Sequence, residues 1–180
     1  MGYTEMPFYY QGAIIYDSDF DAEKLLRMSL KNSGEEKEVI EKILNYDENQ
    51  VMSEEIGSIL RELCFSDDLQ TITDVKKNLL DTLPCEIVSH ACMDNDDFHV
   101  RSFDGEDSII FSADSTSNGD IDWCYFIILE NPMAWIGDIP ANKRISKKII
   151  KRIKKGTKEF LKDDINWWER LGVLTGIYQV

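Results

Sequence analysis

The sequence predicts an α+β fold: a helical N-terminal half, an antiparallel β-meander, then a basic C-terminal helix and a final strand. Three observations carry this expectation. Apolar residues recur at helical spacing between about residues 20 and 83. Short apolar runs separated by Asp/Asn/Gly turns follow, from 86 to 129. Isoleucines at helical spacing then stand among lysines from 142 to 162. A chain of 180 residues fits one domain, 1–180, and is long enough to bury a core without a disulfide or metal.

The elements follow in order. Phe8 to Tyr16 is aromatic and β-branched and reads as a strand. Asp17, Ser18 and Asp19 supply N-cap candidates for a helix with Leu25, Leu26 and Leu30 on its apolar face. Asn32-Ser33-Gly34 ends that helix, since glycine accepts the left-handed cap. Glu35, Glu36, Lys37 and Glu38 open a second helix, whose stripe is Val39, Ile40, Ile43 and Leu44. Ser53-Glu54-Glu55 opens a third, over Ile56, Ile59, Leu60 and Leu63. Ser66-Asp67-Asp68 is expected to open a fourth, over Leu69, Ile72, Leu79, Leu80 and Leu83, stopped by Pro84.

Four strands are expected next, at 86–92, 98–103, 108–111 and 123–129. The turns between them include Asp94-Asn95-Asp96-Asp97, Asp104-Gly105-Glu106-Asp107 and Ser117-Asn118-Gly119-Asp120. Short turns imply antiparallel neighbours, and the fully apolar run at 123–129 belongs inside the sheet. A basic helix spans about 142–162, with Ile145, Ile149, Ile153 and Phe160 facing the core. A strand at 173–180 closes the chain.

Charge is the most informative feature. The net charge is −14, yet residues 1–139 carry 30 acidic and 9 basic side chains (−21), while 140–180 carry 4 and 11 (+7). The N-terminus lacks a secretory pattern, and no apolar run is long enough to cross a bilayer. Cys64, Cys85, Cys92 and Cys124 have no framework spacing. These features point to reduced thiols and a cytoplasmic location, with no membrane partner.

Motifs for chemistry are missing. Cys85, His90, Cys92 and His99 lack the paired spacing of zinc ligands. Asp17, Asp19 and Asp21 begin like a calcium loop, but Ala22 and Met28 stand where Gly and Glu are needed. There is no nucleophile elbow and no glycine-rich phosphate loop. No cofactor or metal is expected, and the chain reads as a non-enzyme. The enzymatic alternative is an unrecognised Asp/Glu site with His90 or His99.

The expected function is therefore binding. Candidate contact residues are Glu35, Glu36, Glu38, Glu54, Glu55, Asp67, Asp68, Asp94, Asp96, Asp97, Asp104 and Asp107. Carboxylates at surface spacing can imitate the phosphate row of DNA and occupy a basic groove. The expected partner is a basic protein such as a nuclease, a toxin or a nucleic-acid-guided defence effector, which the chain inhibits. In general type this resembles immunity and phage anti-defence proteins, which are small, acidic and poor in motifs. The alternative partner is a nucleic acid, held by Lys147, Lys151 and Lys155 of the basic helix. Contact between the basic helix and the acidic body of a second copy is a route to a homo-oligomer.

Overall fold

The computed structural model describes residues 5–82, 98–102, 124–129, 135–136, 139–140 and 142–179. Its class is α+β: among the described residues there are five helices, and the strands pair antiparallel. The chain divides into two compact units.

The helical unit runs from Phe20 and is completed by residues 159–162. It holds α1 (Ala22–Asn32), α2 (Lys37–Leu44), α3 (Glu54–Cys64) and α4 (Ile72–Asp81). Each helix begins where an extended residue caps it. Asp21 accepts from the Lys24 N–H at 3.0 Å, and Ser53 accepts from Ile56. α1 ends as expected at Gly34, whose φ is +84°. The Glu35 and Gly34 N–H groups return to Leu30 and Lys31, which satisfies two orphan carbonyls. The core is one cluster that includes Leu26, Leu30, Ile43, Ile56, Leu60, Val75 and Leu79. α1 packs on α2 and α4, and α3 packs on α4. The segment 159–162 is stitched to the start of this unit. Phe20 bridges Leu161, Lys24 Nζ donates to the Leu161 carbonyl at 2.8 Å, and the Phe20 and Phe160 rings stack at 6.2 Å.

The second unit carries the sheet. β1 (Glu5–Tyr16) pairs with β3 (Cys124–Leu129) on one side and β6 (Leu171–Gln179) on the other, and β2 (Phe98–Ser102) pairs with β3. The order is β2-β3-β1-β6, so β1 and β3 are interior strands. β4 (Trp135–Ile136) and β5 (Ile139–Pro140) form a separate small ladder. α5 (Lys143–Thr157) packs against β5 and a 3₁₀ turn, Trp167–Glu169. The expected strands at 86–92 and 108–111, and Pro84, lie outside the described residues.

Three boundaries correct the sequence reading. Asp17–Asp19 forms a 3₁₀ turn, and the cap of α1 falls to Asp21. α4 does not open at Ser66-Asp67-Asp68. Thr71 and Asp74 form a reciprocal capping box, which satisfies two orphan N–H groups at once and sets the start at Ile72. α5 ends at Thr157, and Phe160 is buried from the turn beyond it. Residues 159–162 lie along the start of the helical unit, which ends their helical hydrogen bonding.

Asp19 is a polar joint of the sheet unit. Its carboxylate accepts from both terminal nitrogens of Arg170, at 3.0 and 3.1 Å, and from the Tyr16 N–H at 2.8 Å. The Arg170 guanidinium also lies 4.5 Å over the Tyr16 ring. The Arg170 carbonyl accepts from the Ile14 N–H at 2.9 Å. One residue pair thus ties the end of β1 to the start of β6.

Candidate functional site

α5 carries eight basic and no acidic side chains in 15 residues. It is helical because its apolar residues keep the helical period and because Asn142 caps it. The Asn142 Oδ1 accepts from the Arg144 and Ile145 N–H groups, both at 3.0 Å. One side of the helix is buried: Ser146, Ile149, Ile150, Ile153 and Thr157. The two buried hydroxyls donate to carbonyls of the preceding turn, Ser146 to Asn142 and Thr157 to Ile153. At ~100° per residue, the basic residues cover the opposite half of the helix.

That half is open. Lys143, Arg144, Lys147, Lys148, Lys151, Lys154 and Lys155 are all exposed. Among the described residues, no carboxylate stands within ion-pair distance of these seven. The first five line an open depression of about 490 Å³.

This arrangement works against the stability of the helix. Lys143 and Arg144 sit in the first turn, at the positive end of the helix dipole, where no acidic residue is present. Lys143–Lys147, Arg144–Lys148, Lys147–Lys151 and Lys151–Lys155 are like-charge neighbours, and each such pair costs ~0.2–0.5 kcal/mol. The dipole favours Lys154 and Lys155 in the last turn, but not the cations of the first turn and the middle of the helix. An anion laid along it relieves every one of these repulsions.

The candidate acids of the helical unit differ in this respect. Glu54 and Glu55 occupy the first turn of α3, where the dipole favours them. Glu54 also pairs with Arg61 at 3.5 Å, and Glu55 with Lys42 at 3.0 Å. Glu36 occupies the N-cap position of α2 without a side-chain capping bond, Glu38 lies in its first turn where the dipole favours it, and Glu35 stands just before. Glu41 pairs with Arg27 at 2.8 Å, and Glu48 pairs with Lys76. The Thr71 hydroxyl and the Thr71 and Gln70 N–H groups hold the Asp74 carboxyl below its usual range. Helix ends and local pairs thus account for most of these carboxylates. Asp67 and Asp68 are exposed in the α3–α4 connection. Asp94, Asp96, Asp97, Asp104 and Asp107 lie outside the described residues, as do Cys85, His90 and Cys92.

The structure therefore gathers Lys147, Lys151 and Lys155 on one face and adds Lys143, Arg144, Lys148 and Lys154 to them. It also exposes two aromatics that no sequence pattern marks. Phe65 is 97% exposed and Trp168 is 50% exposed. Burial pushes the Cys64 thiol up to about 11, so it is protonated at neutral pH and a poor nucleophile. Among the described residues, no three His, Cys, Asp or Glu side chains gather as metal ligands. Within the same residues, no helix is long and apolar enough to cross a membrane. No protein-family model, curated protein or solved structure matches the chain.

Proposed function

We propose that the chain is a binding protein that holds the phosphate backbone of a nucleic acid along the exposed half of α5. One observation carries this reading: seven exposed cations on a single helix face, with no carboxylate partner among the described residues. The helix is ~22 Å long at 1.5 Å per residue, enough to follow several phosphates. A membrane fits less well. An interfacial helix places its apolar half in lipid, whereas Ile149, Ile150 and Ile153 are already buried in the protein. Lysine predominates, which suits phosphate contact more than base reading. The net charge of −14 opposes approach elsewhere, so binding is confined to this face, where each lysine–phosphate contact weakens as salt rises.

The test is fluorescence anisotropy with labelled oligonucleotides. If about six phosphates are neutralised, affinity falls ~10³-fold between about 50 and about 200 mM salt. The double substitution Lys147→Glu and Lys151→Glu is expected to weaken binding roughly 100-fold at the lower salt concentration. Absence of binding at that salt concentration, or affinity unmoved by the double substitution, overturns the proposal.

A second reading, an inhibitor of a basic protein target acting through the acidic helical unit, is favoured by Phe65. This residue takes the left-handed place after α3 that glycine takes after α1, with φ of 50°. The Ser66 and Phe65 N–H groups bond back to Arg61 and Glu62 as in a glycine-ended helix. A left-handed L-residue costs ~1–2 kcal/mol, and here the ring gains no burial in return. Exposed Glu62, Asp67 and Asp68 surround it in sequence. An aromatic anchor among acids suits an apolar pocket with a basic rim, on a nuclease, a toxin or a nucleic-acid-guided effector. Recovery of one specific basic protein from native extract at low salt, lost with Phe65→Ala, supports this reading. Recovery indifferent to Phe65→Ala sinks it.

A further inference from the structure

We infer that the nucleic acid held by α5 is single-stranded, with one of its bases stacked on Trp168. This rests on the reading of α5 as a phosphate-binding face and adds the class of strand. The 3₁₀ turn Trp167–Glu169 packs against α5 within the same compact unit. The two adjacent indoles have opposite fates: Trp167 is 3% exposed and Trp168 is 50% exposed. Among the described residues, the exposed large hydrophobics are Val51, Phe65 and Trp168, and Trp168 is the one that shares a unit with the cationic helix.

The turn holds this indole on a fixed backbone. Trp167 N–H donates to Ile165, Glu169 N–H to Asn166 and Arg170 N–H to Trp167, each at 3.1 Å. Arg170 is in turn clamped by Asp19. A platform already in place loses little entropy when a base settles on it. Proteins that bind single strands combine a cationic track for the backbone with aromatics for the bases. A duplex keeps its base faces stacked on one another and offers an indole nothing. Exposed Glu169 beside Trp168 repels phosphate, which favours a base over the backbone at that point.

The experiment uses the whole chain with three probes of about 16 nucleotides: oligothymidylate, oligouridylate and a DNA duplex. Anisotropy gives affinity, and quenching of tryptophan emission reports stacking. Either single strand is expected to bind more tightly than the duplex and to quench the emission. Trp168→Ala is expected to weaken single-strand binding about tenfold, the effect of losing one stacked base, and to abolish most of the quenching. Trp168→Phe, which keeps an aromatic face, should retain most of the affinity. Lys147→Glu with Lys151→Glu should weaken both kinds of probe. A preference for the duplex, or single-strand affinity unchanged in Trp168→Ala, overturns this inference and leaves the phosphate reading intact. If no probe binds the wild-type chain at low salt, the phosphate reading itself falls.

Discussion

Leu60→Ala is expected to destabilise the helical unit by about 3.5 kcal/mol, the middle of the range for a buried leucine cut to alanine. Leu60 has no exposed surface and sits in the cluster with Leu26, Ile43, Ile56 and Val75. Its neighbours belong to different helices, so the cavity cannot close by a shift of α3 alone. The cost is the lost transfer of three methyl(ene) groups plus the contacts their neighbours lose around the void. Leu60→Met keeps most of the volume and should cost less than ~1.5 kcal/mol. Glu62→Ala, on the exposed side of the same helix, should stay within ~0.5 kcal/mol. Urea unfolding followed by far-UV circular dichroism separates the three. A cost near zero for Leu60→Ala means that this cluster is not a close-packed core.

The second large effect is expected at Asp19. Asp19→Ala leaves the Arg170 guanidinium without its carboxylate and the Tyr16 N–H without an acceptor. The Asp19 side chain is only 9% exposed and that of Arg170 21%, so water replaces the lost partner poorly. Breaking a pair of this kind costs about 3 kcal/mol, the low end for buried pairs because Arg170 keeps some contact with solvent. Replacing both members, Asp19→Ala with Arg170→Met, removes the stranded charge and should recover more than half of that loss. Arg170→Lys should behave nearly as badly as a deletion, since an ammonium cannot make the two parallel bonds. Thermal melts of the four chains give the answer. If Asp19→Ala and the double replacement lose the same stability, the pair does not act as a joint.

Much of the local structure is legible in the residues themselves. Ser53 before Glu54-Glu55 marks the start of α3, and Gly34 marks the end of α1. The α5 pattern shows an amphipathic basic helix. Boundaries are less legible where two caps compete. Ser66-Asp67-Asp68 and Thr71 both carry capping side chains, and only Thr71 has an acidic residue placed to answer its own N–H. The candidate site is legible in part. Charge asymmetry marks both the acids and the lysines. It does not say that Glu54, Glu55 and Glu41 have basic partners while, among the described residues, the lysines of α5 have no carboxylate partner.

What the sequence determined by itself is the periodicity of each helix and the sign of each face. Both follow from the 3.6-residue turn, which assigns a side to every residue before any packing occurs. Tertiary structure decided which polar groups meet. Asp19 and Arg170 stand 151 residues apart, and no local rule pairs them. It also separated Trp167 from Trp168, two identical side chains next to each other, because a backbone turn leaves room in the core for one of two consecutive residues and turns the other to solvent.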